Sequence, residues 1–165
     1  MAVTHWATDG TLGVDLESTH TTAQHALNQR VMGNNNSVWA YCYASAGITQ
    51  YMAVGIEASG TASPLTAALA RLGATIGIAQ VAFTAADYGW VALAGQSLRV
   101  ATTAAVAVGA SLFTTATAGR VDDSAASTQA QISGLKLIAT ASGTSASSAA
   151  CVAQNLVVVD PGFLI

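Results

Sequence analysis

The sequence predicts a mainly β protein: a compact barrel or sandwich with one short helix and an extended N-terminal arm. Three observations carry that expectation. Short runs of alternating polarity recur at roughly ten-residue spacing. Glycines stand between them, where hairpin turns need positive φ. Only one stretch, "SPLTAALARLG", joins helical caps to a helical apolar spacing.

The elements follow in order. Residues 1–36 are polar and weakly periodic and end in an Asn-rich loop, so they are expected as an arm, with residues 37–165 as the β domain. "SVWAYCYAS" sets Val38, Ala40, Cys42 and Ala44 on one face and Trp39, Tyr41 and Tyr43 on the other, a period-2 strand. "AGITQYMAVGIE" adds a turn at Ala46-Gly47 and a second strand, which suits a hairpin with the first. In "SPLTAALARLG", Ser63 is placed as N-cap, Pro64 as the first helical residue and Gly73 just past the end, with Leu65, Leu69 and Leu72 on one face. "ATIGIAQVAFTA" is a strand. "YGWVALAG" and "LRVATT" are expected as two strands joined by a tight "GQS" turn. "AVAVGASLFTTATAGRVDD", "QISGLKLIATASG" and "ACVAQNLVVV" supply the remaining strands, before a "DPGFLI" tail.

Composition narrows the function classes. Charged residues make up 8% of the 165 positions, against about 25% in ordinary soluble proteins. The mean hydropathy of +0.49 comes from Ala and Val rather than from long Leu/Ile/Phe blocks. A spanning helix needs about 20 consecutive apolar residues. The best run, Ala104 to Phe113, is about half that and contains Gly109 and Ser111. Aromatics at 6% are too few for the girdles of a membrane β-barrel. The opening "MAVTHWATDG" lacks the basic and apolar regions of a secretory signal. One Lys and four Arg, scattered, make no patch for nucleic acid. Cys42 and Cys151 read as two buried free thiols. A surface this poor in charge does little to keep copies apart, which points to an assembly subunit.

Catalytic chemistry finds no foothold. There is no G-x-S-x-G elbow and no phosphate loop. His5, His20 and His25 all lie in the irregular N-terminal region, with no metal-ligand spacing among them. Asp122-Asp123 suits a solvated turn. The expectation is therefore a non-enzyme with no cofactor and no metal.

One resemblance goes further. The run from Ile76 to Thr140 carries, in order, "GIAQVAF", "DYGWV", a Gly turn, "GASLFTTATAGRVDD" and "ISGLKL". This ordered set resembles the small capsid decoration, or cement, proteins of tailed bacteriophages. The resemblance implies a compact, β-tulip-like domain with an arm, on the outer face of an icosahedral head in the virion. It implies homotrimers that bridge neighbouring major capsid protein subunits, without nucleic acid or membrane as partner. His5, Trp6 and Asp9 of "HWATDG", together with Trp39, Tyr88 and Trp90, are the contact residues expected on that reading. A glycan-binding or host-attachment module is the alternative, with Trp39, Tyr41 and Tyr43 as an exposed aromatic platform.

Overall fold

The computed structural model describes residues 6–7, 14–103, 105–141 and 147–159. The strands are β1 (Thr19–His20), β2 (Arg30–Gly33), β3 (Ser37–Ala44), β4 (Ala53–Ile56), β5 (Thr61–Pro64) and β6 (Thr75–Ile78). They continue as β7 (Tyr88–Thr102), β8 (Leu112–Thr114), β9 (Val121–Asp122), β10 (Gln131–Leu137) and β11 (Ser147–Val159), and a single helix, α1 (Ala67–Arg71), stands between β5 and β6. The fold is mainly β with one short helix, as the sequence predicts, and its barrel is a closed ring of five strands.

The barrel closes through β7, β6, β4, β5 and β3, with β3 pairing back onto β7. Five strands leave a narrow interior, and one face of these strands carries alanines and aliphatic side chains. Ala40, Cys42 and Ala44 come from β3, Val54 and Ile56 from β4, Ala62 from β5, and Val91 and Leu93 from β7. β6 contributes Gly77, where a Cβ would stand 2.5 Å from Val91 Cγ1. A second closed circuit of pairings runs from β7 through β11, β10, β8 and β9 and returns to β7. The opposite face of the barrel strands, with Trp39, Tyr41, Ile78 and Trp90, packs into one larger cluster with Leu98, Leu112, Ile132 and Leu135 of that second circuit.

β7 serves both circuits as one 15-residue strand. The tight turn expected at "GQS" is instead a bulge within it. Gly95 pairs with Ala153 and Leu98 with Cys151, so Gln96 and Ser97 oppose Val152 alone. Ser97 takes φ +63° and Gln96 donates its N–H to the Asn35 carbonyl at 3.1 Å. The extra residue bends the strand, which lets its two halves belong to different rings.

Other expectations shift in the same way. β3 and β4 form no hairpin; β5 lies parallel to β3, and β4 pairs with β5 and β6. Ser63 and Pro64 are taken by β5, and the helix starts one turn later. Thr66 is its N-cap, with Oγ1 accepting the Leu69 N–H at 3.1 Å. Leu65 is buried there, whereas Leu72 points to solvent at 83% exposure. Gly73 does take the positive φ expected after the helix. Residue 36, the expected end of the arm, closes the turn of a β2–β3 hairpin. From residue 14 onward the N-terminal segment packs on the sheet: β1 pairs with β7, and Leu16 is 1% exposed.

Two glycines with nearly equal φ separate strain from crowding. Gly134 (φ +83°) sits where β10 shifts register against β11, and a Cβ there would stand 2.0 Å from the Gln154 carbonyl oxygen. Gly73 (φ +81°) has open space around it. In urea unfolding, Gly73→Ala is expected to lose about 1 kcal/mol, the cost of the left-handed conformation. Gly134→Ala is expected to lose about 3 kcal/mol or more, because the backbone must also move.

Candidate interface

The predicted contact residues are brought together, but as packing. Trp39 and Trp90 are 0% and 1% exposed, so no surface of either is left for a partner. The expectation that they contact a capsid or another subunit is corrected on that ground. Trp39 Nε1 donates to Ser37 Oγ at 2.8 Å, which in turn donates to the Asn34 carbonyl at 2.7 Å. Trp6 lies edge-on to Trp39, with ring centroids 5.3 Å apart, and its N–H donates to Glu17 Oε1 at 2.9 Å. The Trp6 side chain therefore completes this chain's own core edge. His5 and Asp9 lie outside the described residues.

The remaining aromatics extend the same cluster. His25 packs against Tyr41 at 5.1 Å and Trp90 at 5.2 Å, and the Gln24 N–H donates to the Tyr41 hydroxyl at 2.9 Å. The segment before β2 is thereby pinned over β3. Tyr88 and Tyr43 are half-buried and lie 5.1 Å apart, at the cluster's outer edge. The exposed Trp39/Tyr41/Tyr43 platform required by the glycan-binding alternative does not form: Trp39 and Tyr41 are fully covered.

The motifs behind the resemblance each do a structural job. Gln80 of "AQVAF" clamps the start of the second half of β7: its Nε2 donates to the Arg99 carbonyl at 3.0 Å, and its Oε1 accepts the Arg99 N–H at 3.1 Å. In "DYGWV", Asp87 accepts the Thr84 N–H, and a Cβ on Gly89 would stand 2.7 Å from the Phe83 ring. In "TTATAGRVDD", Arg120 reaches the Thr102 carbonyl at 2.8 Å. Asp122 accepts from the Thr103 hydroxyl and from the N–H groups of Asp123 and Ser124. These bonds offset the cost of its partial burial and hold its carboxyl below the usual range.

The open surface lies elsewhere, and sequence reasoning did not single it out. β7 stops pairing with β11 at Ala153, so the strand's last residues carry β10 on one edge only among the described strands. Beside that edge runs a groove of about 620 Å³, walled by Ala70, Ala74, Leu156 and Val158 together with the polar side chains of Arg71 and Thr75. A smaller hollow of about 300 Å³ shares Thr75 and Leu156 with it and reaches Arg30. Leu156 and Val158 turn toward the core, while Val157 and Val159 are 56% and 44% exposed. The signal available was the unbroken "LVVV", but such a run reads as buried on both faces.

Among the described residues, no group of three or more His, Cys, Asp or Glu side chains is placed to hold a metal ion. No family model, curated protein or solved structure matches this chain. What the structure defines is the class: a β-barrel protein in which Trp39, Tyr41 and Trp90 serve packing.

Replacing Trp90 by Ala is expected to cost about 4 kcal/mol in urea unfolding, a core truncation of the largest kind. Cys42 and Cys151 are both free and buried, and burial pushes each thiol from 9.0 up to about 12. The protonated thiols favour the fold below pH 9.0, and that contribution is lost as pH rises from there toward 12. Stability measured from pH 8 to 11 should therefore fall, and a Cys42→Ala/Cys151→Ala double variant should show a smaller fall over that range.

Proposed function

We propose that this chain is a structural virion protein that binds the outer face of a bacteriophage head and cements neighbouring major capsid protein subunits. The observation that carries the reading is the ordered motif set from Ile76 to Thr140, which resembles the decoration proteins of tailed phages. In this chain Gln80, Asp87 and Arg120 of that set make hydrogen bonds within the fold, and its last run forms β10.

The surface supports the same reading. Charge is sparse, and Met32, Leu72 and Val157 stand 64%, 83% and 56% exposed. Such a surface gains by being covered by protein. Binding across a subunit junction stabilises a shell by mass action, because the ligand takes the closed lattice and not the separated subunits. Repeating a weak contact at many junctions multiplies the effect.

The test is sedimentation of the purified protein, alone and mixed with heads that lack it. A trimer that co-sediments saturably with the heads is the expected result. A protein that stays in the supernatant at every concentration overturns the reading. Trp6→Ala is expected to lower thermal stability while leaving head binding within about threefold, because Trp6 packs on Trp39.

A further inference from the structure

We propose that the hollow of about 300 Å³ that reaches Arg30 is a binding site for a small carboxylate with an apolar body. The inference goes beyond the assembly reading and does not depend on it. Its first ground is where the hollow lies. It is lined by Val38, near the start of β3, and by Thr75, the first residue of β6. Both strands run antiparallel to β7, so these starts stand at the same end of the barrel. Arg30 pairs with Ala40 and Thr75 with Ile56, which sets both polar residues on the strand face that carries Ala40, Ile56 and Leu93. Barrel mouths are a common place for small-molecule sites.

The second ground is the set of polar groups that meet there. Beside the apolar Val38, Leu93 and Leu156, the hollow is lined by Arg30, Thr75 and Asn155. Each of these three comes from a different strand, β2, β6 and β11. Among the described residues, none of their side chains takes part in a hydrogen bond or an ion pair. All three are exposed, so water meets their polar atoms and a ligand can replace it. Asn155 stands where β11 shifts register against β10, and it takes φ +47°, a conformation that costs a residue with a Cβ.

The third ground is charge. Among the described residues no acidic side chain lines the hollow, and Arg30 is its one cation. A guanidinium stays charged at every accessible pH, and its planar fork matches a carboxylate through two parallel N–H···O bonds. A single Arg suits one negative charge better than the two of a phosphate. The Asn155 amide and the Thr75 hydroxyl supply further donors. Val38, Leu93 and Leu156 offer apolar contact to the body of the ligand. The volume lies at the low end of the range of ligand pockets, about 300–1,000 Å³, which limits that body to a single ring or a short chain.

Titration of the full chain with phenylacetate, followed by proton–nitrogen correlation NMR, tests this. Saturable shifts are expected at the Arg30 Nε–H and at the backbone amides of Thr75 and Asn155. Phenylacetamide has the same body without the charge and should bind at least about tenfold more weakly. Arg30→Met keeps an apolar stem and should weaken phenylacetate by a similar factor. Arg30 is exposed, so thermal unfolding of that variant should be unchanged. Asn155→Gly removes the amide and relieves the backbone, so affinity should fall about threefold without loss of stability. Equal binding of the acid and the amide overturns the proposal, because it would show an apolar recess and nothing more. Undiminished binding by Arg30→Met overturns it too, as do shifts scattered over the surface that never saturate. The comparison of acid with amide uses the unaltered chain and decides the matter should a variant fail to fold. Saturable phenylacetate binding by a protein that ignores heads would leave this site standing and refute the assembly reading; head binding without it would do the reverse.

Discussion

Everything in this fold depends on β7 remaining one strand. It supplies an edge to the five-strand barrel and an edge to the second circuit, and neither ring closes without it. The bulge at Gln96 and Ser97 makes that double membership possible. It redirects the strand between the pairing with β3 and the pairing with β11. The Gln80 clamp then fixes the strand just beyond the bend, replacing ladder bonds with a side-chain amide that offers one donor and one acceptor to Arg99. Packing follows from this arrangement. Alanines and aliphatic side chains pack with Phe83 on one face of the barrel strands, and Trp39, Tyr41 and Trp90 pack on the other, where the segment before β2 covers Tyr41 and Trp90.

What could be read from the chain, and what could not, divides along the range of the interactions. β3 announced itself through strict alternation, and Gly73 through its place after a leucine-rich helical turn, because both signals are local. The "GQS" triplet has the composition of a turn. Whether it reverses the chain or bulges within a strand is decided by the register against β11, more than fifty residues later. The start of α1 was displaced for a similar reason. Ser63 and Pro64 have good capping chemistry, but Ser63 pairs with Gly55 and Pro64 with Val54, and Pro is tolerated at a strand's end. The hydroxyl of Thr66 was left to cap the helix. As for the site, Trp39 and Trp90 carried the strongest aromatic signal and proved to be interior. The open edge of β11 gave no local signal, because an apolar strand looks the same whether or not its neighbour ends early.

The motifs that suggest a decoration protein are the ones that build the rings. Gln80, Arg120 and Asp122 bind backbone groups, and Gly89 leaves room for the Phe83 ring. A motif set of this kind reports architecture first. Function enters through the surface that architecture leaves open, and there Leu72, Val157 and Val159 stand exposed, with Arg71 beside them.

The shared strand also has a mechanical side. β7 is flanked over its length by β3 and then β11, both antiparallel to it. A tension applied along its axis loads those ladders in shear, so many hydrogen bonds must yield together rather than one after another. The same tension applied across the sheet would peel them singly. A molecule built this way is stiff in one direction and compliant in another, and the direction of β7 is the axis along which it would best act as a tie.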